Sequence, residues 1–231
     1  MTEPQSTSES TSESTSEWMD ERLAARWTAA DSLKEMLVVP RRISATVVAA
    51  DRPGTVLVVD VGSGPGDYLS TMLDMFPAAR GVWTDVSPAM EDIARPALAS
   101  YGDRIEFRLV DIEDLSPLPE QVDVITTSRA SHHFDAATLA RFYASAAEHL
   151  APGGWLVNLD HVLSPGAWDR RLRDARTAMI PQKREGTGHS HDKPLPMVEE
   201  HLAGLAAAGF DDLATPWRAF YTVLFMARKA G

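Results

Sequence analysis

Short apolar runs and longer stretches of helical periodicity alternate along this chain, and the first such unit is the clearest. Residues 56–59 are aliphatic and mostly β-branched, which is typical of a strand buried on both faces of a parallel sheet. After a glycine-rich stretch, apolar residues recur at helical spacing, namely Tyr68, Leu69, Met72, Leu73 and Phe76. The pattern therefore predicts a strand, a glycine loop and a helix, in that order.

The alternation of strands and helices continues through the rest of the chain. Further strands are predicted at residues 79–84, 104–110, 122–127 and 155–159, the last of them after a turn at residues 152–154. Helices are predicted at residues 166–179 and 195–208, and two closing strands at residues 212–218 and 219–227. Because too few residues join these two strands for a crossover, they must pair as an antiparallel hairpin. We therefore expect an α/β fold.

The N-terminal part differs in composition from the rest of the chain. Residues 1–16 are a Ser/Thr/Glu repeat without a large apolar residue, so they are expected to form a disordered tail. Residues 17–51 are predicted to be helical, with Trp18, Leu23 and Trp27 on one apolar stripe and Pro40 interrupting the helix. Residues 52–231 are expected to form the main domain, in which residues 162–195 are an insertion.

Composition narrows the classes of function. The chain has 231 residues and a net charge of −11, which argues against a nucleic-acid surface, because such a surface shows a basic stripe. The sequence contains no cysteine, so disulfides, thiolate nucleophiles and cysteine-ligated metals are excluded. We find neither an apolar run of membrane-spanning length nor a signal peptide before the acidic N-terminus. The expectation is a cytoplasmic protein that binds a small molecule, with neither a nucleic-acid nor a membrane partner.

The glycine loop carries the first chemical signal. Its glycines follow the pattern G-x-G-x-G, and it lies between Asp60 and Asp67. A phosphate charge about 4 Å from such a carboxylate would cost about 4 kcal/mol at a near-surface dielectric of about 20. S-adenosylmethionine has no phosphate and carries an ammonium and a sulfonium, so the same acids would attract it. The loop resembles motif I of the class I S-adenosylmethionine-dependent methyltransferases.

This resemblance covers residues 52–229 and implies a fold and a cofactor site. The fold would be a Rossmann-like, doubly wound sheet of seven mostly parallel strands in the order 3-2-1-4-5-7-6. The helices of residues 17–51 would cap the cofactor or, alternatively, only cover a sheet edge. Asp85, at the end of the second strand, would accept the ribose hydroxyls, and Asp111 would meet the adenine amino group. The predicted cofactor-binding residues are Asp60, Gly62, Ser63, Gly64, Gly66, Asp85, Val86, Met90, Asp111, Ile112 and Ser128.

For Met90 there is a structural alternative to cofactor binding. It is on the first turn of a helix that Ser87 caps, where it could contact adenine or simply pack in the core.

Methyl transfer to a hydroxyl, an amine or an acidic carbon also needs a general base, and histidine suits that role near neutral pH. In this fold the loops after the fourth and fifth strands surround the transferred methyl group. They carry His132, His133 and the pair Asp160-His161. We rank His133 first as the base, then His161 and then His132, with Asp160 orienting a histidine or a substrate group. His149 and His201, on helices, are expected at the surface.

The roles of two further groups of residues remain open. His189, His191 and Asp192 could ligate a metal, or they could belong to an exposed loop. The insertion is locally basic, and its arginines, like Arg41 and Arg42 nearer the N-terminus, could meet an anionic substrate or lie on a solvated face. The insertion's basic residues are Arg170, Arg171, Arg173, Arg176, Lys183 and Arg184.

The sequence therefore predicts methyl transfer from S-adenosylmethionine to an oxygen, nitrogen or carbon atom of a small molecule that could be anionic. Non-methylating chemistry with the same cofactor is one alternative. A nicotinamide-dependent oxidoreductase and a non-enzymatic interaction module are two others.

Overall fold

The computed structural model of the protein describes residues 31–179 and 194–231. Several predictions concern residues outside these ranges. They are the disordered tail, the stripe of Trp18, Leu23 and Trp27, and the possible metal ligands His189 and His191. Asp192 of the possible metal group and the basic Lys183 and Arg184 also lie outside these ranges. Within the described ranges no helix combines the length and the apolar character that a membrane span requires.

Seven strands form one sheet in the order β3-β2-β1-β4-β5-β7-β6, as the resemblance implied. Neighbouring strands from β3 to β5 are parallel, and β7 is antiparallel to both β5 and β6, so the predicted closing hairpin is confirmed. The strands are β1 (Leu57–Val61), β2 (Arg80–Asp85), β3 (Ile105–Leu109), β4 (Val122–Ser128), β5 (Leu150–His161), β6 (Phe210–Ala219) and β7 (Thr222–Lys229).

Helices cover both faces of the sheet. They are α1 (Asp31–Asp51), α2 (Asp67–Met75), α3 (Pro88–Ala97), α4 (Ala136–His149), α5 (Ala167–Met179) and α6 (Val198–Ala207), with short 3₁₀ turns at Ala99–Arg104 and Ser131–His133. Alternate residues of β1 point to opposite layers, since Val58 packs with residues of α1, α2 and α3, whereas Val59 packs with residues of α4 and α6. Helix α5 belongs to neither layer and lies near the hairpin turn between β6 and β7, where Arg176 contacts Tyr221.

Two predicted boundaries are wrong. Pro40 does not interrupt the first helix but lies inside α1, whose Leu37, Ala45 and Val48 are buried against the sheet. We attribute the continuity to this burial, which offsets the cost of an internal proline, about 3 kcal/mol. The turn predicted at residues 152–154 lies within β5, where the pairing register with β4 shifts between Val122 and Val124. The sheet absorbs the extra residues as a bulge because Trp155 and its successors pair on both sides.

The prediction that His201 lies at the surface is also wrong. Its side chain is 0% exposed, its Nδ1 is 2.6 Å from the Tyr143 hydroxyl, and its ring stacks on Phe225 at 4.4 Å. The reason is the helix face it occupies, because His201 precedes the buried Leu205 by four residues on α6. His149, by contrast, is only partly buried, with Nδ1 3.2 Å from the Pro119 carbonyl oxygen.

The burial of His201 makes folding sensitive to acid. Burial lowers the pKa of His201 to about 4 from its ordinary value of 6.5, so the unfolded chain binds a proton there before the folded chain does. The resulting stability is complete above about pH 6.5 and declines as the pH falls towards 4, by about 1.4 kcal/mol for each unit of pKa difference. We expect His201→Gln to flatten the loss of unfolding free energy between pH 7 and 4, measured by urea denaturation. His149→Gln is the matched control, and an unchanged slope in His201→Gln would contradict this account.

Candidate active site at the carboxyl edge of the sheet

The three glycines after β1 all have positive φ, but each is needed for a different reason. A Cβ at Gly62 would lie 3.2 Å from the Ala130 Cβ, and one at Gly66 would lie 2.5 Å from Leu98, so these two glycines allow close packing. A Cβ at Gly64 would meet nothing within 4 Å. The loop therefore has an open cradle at Gly64, where a ligand can approach the backbone at the start of α2.

The side chain of Asp60 holds the glycine loop through a hydrogen bond with Ser63. Its carboxylate is buried and accepts hydrogen bonds from the Ser63 hydroxyl at 2.5 Å and the Thr126 hydroxyl at 2.6 Å. Burial raises the pKa of Asp60 to about 6, although these hydrogen bonds oppose the shift. Both predicted residues, Asp60 and Ser63, thus use their polar atoms within the protein, and a direct contact with a cofactor stays a prediction.

The carboxylate of Asp85 lies beside Gly64 of the cradle. One carboxylate oxygen accepts from the Gly64 amide at 2.9 Å and the other from the Ser87 amide at 3.0 Å. Burial raises the pKa of Asp85, and these amide hydrogen bonds limit the rise. An ionised carboxylate has about four acceptor positions, so Asp85 keeps capacity for two hydroxyl groups. Its place beside Gly64 suits the predicted contact with a ribose diol.

The remaining predicted cofactor residues fall into two groups. Met90 is 2% exposed and packs in the core, and its contact with adenine stays a prediction, while Val86 is partly exposed. Asp111 is exposed, with one oxygen accepting from the Glu113 amide at 3.0 Å, and Ile112 lies near Gly62. The Ser128 hydroxyl is buried and has no hydrogen-bond partner among the described residues, which leaves it available to a ligand.

The predicted catalytic residues converge on the carboxylate of Asp160. Oδ2 accepts from the Ala130 amide, the Ser131 hydroxyl and the His132 amide at 3.2, 2.7 and 3.0 Å. Oδ1 lies 2.5 Å from His132 Nδ1 and 2.7 Å from the His161 amide. Burial alone would raise the pKa of Asp160, but the charge and hydrogen bond of His132 hold it well below its usual range. Asp160 is therefore ionised, and His132 Nδ1 donates to it.

The three histidines lie together at this edge. The His132 ring centroid is 4.2 Å from that of His133 and 5.4 Å from that of His161. His132 is 3% exposed, whereas His133 and His161 are partly exposed. His161 Nδ1 is 3.0 Å from the Thr222 hydroxyl, and its ring meets the edge of Tyr221 at 4.9 Å. Burial and the neighbouring positive charges of His132 and two arginines lower the pKa of His161 to about 3.

Three arginines lie near this edge of the sheet. Arg41 is buried, and its Nη1 lies 3.4 Å from the Asp67 carboxylate, so it does not belong to a solvated face. Its helical spacing with the buried Leu37 and Ala45 was a signal that could have shown this. Arg129, which follows β4 at φ 55, was missed because no sequence pattern marks a left-handed arginine. Arg176 is also buried, whereas Arg170 and Arg171 on the same helix are exposed.

A metal centre has no support in the described part of the chain. No group of three or more His, Asp or Glu side chains within residues 31–179 and 194–231 has the arrangement to hold an ion.

Comparison with known proteins shows what this part of the chain is similar to. Residues 58–154, which run from β1 into β5, match a sequence family described as a methyltransferase domain. A 3-amino-4-hydroxybenzoate 4-O-methyltransferase of Streptomyces cremeus is 34% identical over 117 residues, which are 50% of this chain and 32% of that protein. A trans-aconitate 2-methyltransferase of Streptomyces coelicolor is 28% identical over 173 residues, 72% of this chain and 54% of that protein. These matches confirm the predicted methyltransferase resemblance.

Solved structures show the same fold at lower identity. Human N-acetylserotonin methyltransferase in complex with S-adenosylmethionine superimposes with a TM-score of 0.66 at 20% identity, over 93% of this chain and 58% of that one. The match with the Streptomyces cremeus enzyme spans about a third of that enzyme's length.

The open cradle leads to a test of the cofactor site. In Gly64→Ala the added methyl group would occupy the ligand's space, so we expect the affinity for S-adenosylhomocysteine to fall at least about 10-fold, which corresponds to about 1.4 kcal/mol. Gly209→Ala is the matched control, because Gly209 also has a positive φ and open space around its Cβ but precedes β6 at the opposite edge. Both variants should lose similar stability, and only Gly64→Ala should lose affinity in calorimetry. Equal affinities would contradict the assignment of the cradle.

Proposed function

We propose that this chain, which carries the domain of the class I S-adenosylmethionine-dependent methyltransferases, transfers a methyl group from that cofactor to an oxygen atom of a small molecule. One observation carries the proposal. An open glycine cradle flanked by acids lies at the same sheet edge as a histidine whose ring is bonded to a buried carboxylate.

The chain's own residues fit the cofactor. Gly64 leaves room for it, Asp85 keeps acceptor capacity for a ribose diol, and the exposed Asp111 can accept from an adenine amino group. When bound, S-adenosylmethionine supplies an electrophilic methyl group on a sulfonium. The acids of the loop favour its positive charges and disfavour the pyrophosphate of a nicotinamide dinucleotide.

We assign the general base to His132. Because its Nδ1 donates to Asp160, its Nε2 is the basic nitrogen of the neutral ring, and the carboxylate stabilises the imidazolium that forms. This is the orientation of a histidine by a buried carboxylate that is familiar from catalytic triads.

The other two histidines are weaker candidates. A proton on His161 is disfavoured by burial and by the charges of His132, Arg129 and Arg176. His133 lies against the His132 ring and is partly exposed, whereas His132 is the histidine whose Nδ1 lies 2.5 Å from the Asp160 carboxylate. The geometry thus favours a different order from the sequence ranking, in which His133 came first, because the position of Asp160 was not visible in the sequence.

Oxygen is the acceptor atom that best fits a base of this kind. A hydroxyl must lose its proton as it attacks, and a histidine general base contributes about 10²- to 10⁴-fold to such a step. Two of the curated relatives are named for 4-O- and 6-O-methylation, which supports the same choice.

The test is a turnover assay with purified full-length protein. The candidate acceptors are small hydroxylated acids, starting with the 3-amino-4-hydroxybenzoate on which one relative is named to act. Mass spectrometry should find a product heavier by one methyl group, and a methylated nitrogen or carbon in place of the hydroxyl would contradict O-methylation. A product formed from the cofactor alone would favour non-methylating chemistry.

The base is tested by substitution. His132→Ala should bind S-adenosylhomocysteine normally in calorimetry and lose about 10²- to 10⁴-fold in turnover, together with the pH dependence of the rate. His149→Ala is the control, since His149 lies on α4 away from the cluster. If His132→Ala folds and keeps more than about a third of wild-type turnover at saturating cofactor, His132 is not the base.

A further inference from the structure

Arg176 is a buried cation for which the described part of the chain shows no paired anion. Its side chain on α5 is 5% exposed, and its Nε has no hydrogen-bond partner among the described residues. Its helical neighbour Arg173 differs, because it lies 2.7 Å from Asp169 and forms an ion pair with it. Burying a charged group without an ionic partner is unfavourable, so a structure that keeps one has a use for it.

The position of Arg176 relates it to the proposed catalytic cluster. Its guanidinium carbon lies 5.3 Å from the centre of the Tyr221 ring, and the edge of that ring meets His161. His161 is in turn next to His132. Two consecutive ring contacts therefore join Arg176 to the histidines, and its charge is one of those that lower the pKa of His161.

Arg129 is a second arginine whose charge acts on His161. It follows the last residue of β4 in the left-handed region, at φ 55, where an arginine is rarely found and where strain often accompanies a function. Burial and the charges of Arg41 and Arg176 lower the pKa of Arg129 to about 10, although the carboxylates of Asp160 and Asp67 oppose the shift. Arg129 therefore lies within electrostatic reach of both arginines and both acids.

The nearest acids form hydrogen bonds or ion pairs with other residues. Asp160 accepts five hydrogen bonds from residues 130–132 and 161, and Asp169 is paired with Arg173. Asp67 lies beside Arg41 at the start of α2, on the cofactor side. None of these ion pairs and hydrogen bonds joins an acid of the described residues to Arg176, in a protein of net charge −11.

We propose that Arg176 binds the carboxylate of the methyl acceptor, which is then a small organic acid that carries its hydroxyl away from its carboxylate. A guanidinium can bind a carboxylate through two parallel hydrogen bonds, which fixes orientation as well as charge. Anchored there, the acid places its other end at His161 and His132. This inference rests on the proposed function, since it assigns the acceptor's anionic group to one wall of that site.

The same chemistry has a second source, because the cofactor's amino-acid end also carries a carboxylate. Arg41, next to Asp67 and the glycine loop, is the arginine closest to that end of the site. We therefore assign Arg176 to the acceptor, and the experiment separates the two sources.

The test compares Arg176→Met with Arg170→Met, which removes one exposed arginine from the same helix. Full-length protein saturated with S-adenosylhomocysteine is titrated calorimetrically with benzoate and with its neutral analogue benzamide. Wild type and Arg170→Met should bind benzoate more tightly than benzamide. Arg176→Met should bind benzoate about 10- to 150-fold more weakly, the range for losing hydrogen bonds to a charged group. Its benzamide affinity should not change.

A second measurement identifies the source of the carboxylate. The affinities for S-adenosylhomocysteine and for 5′-methylthioadenosine, which lacks the amino-acid end, should both be unchanged in Arg176→Met. A selective loss of S-adenosylhomocysteine affinity would overturn the assignment to the acceptor, because the cofactor's carboxylate would then be the ligand. Arg176→Lys, which keeps the charge and loses the planar fork, is the second variant if Arg176→Met does not fold.

Three results would overturn the inference. They are the absence of a preference for benzoate in wild type, an equal preference in Arg176→Met, and an equal loss in Arg170→Met. Failure of the proposed function looks different, because the turnover assay would then yield no O-methylated product while the benzoate titrations could still give the expected result.

Discussion

The buried carboxylate of Asp160 is the interaction on which the candidate site depends. It comes one residue before the end of β5 and accepts hydrogen bonds from the backbone and side chains of residues 130–132, which follow β4. A buried anion is stable only when its acceptor positions are filled by donors of fixed geometry. Once the sheet places Asp160 there, the loop after β4 has to wrap around it, and this wrapping holds His132.

The same carboxylate begins a polar network that runs into the core. The Ser131 hydroxyl also accepts from the Asn158 amide at 2.8 Å, which donates in turn to the Tyr143 hydroxyl at 2.9 Å. The Tyr143 hydroxyl lies 2.6 Å from His201 on α6. Each member is buried, so each needs its neighbours, and the network fixes how α4 and α6 pack against β5. The positions of the proposed catalytic groups and the core are thus set together.

Charge is distributed unevenly in the site, and the division follows the two ligands we propose. Acids line the glycine loop and the end of β2, where a cationic cofactor is expected. Arg176 contacts Tyr221, whose ring meets His161, and the charge of Arg129 also acts on His161, where an anionic acceptor is expected. The net charge of the chain predicts neither feature, because interactions inside a site depend on the few charges within reach of one another.

The sequence by itself determined the unit of strand, glycine loop and helix, the acid at the end of β2 and the antiparallel hairpin. Each of these depends on residues close together in the chain, where the periods of strands and helices and the freedom of glycine act directly. Only the tertiary structure decided that Asp160 binds His132, that His201 is buried, that Pro40 stays inside α1 and that Arg176 is buried. His132 and Asp160 are 28 residues apart, and their contact depends on the register between β4 and β5 and on the path of the loop after β4. Local periodicity gives the face on which a residue lies, but the partner it meets there depends on how distant segments pack.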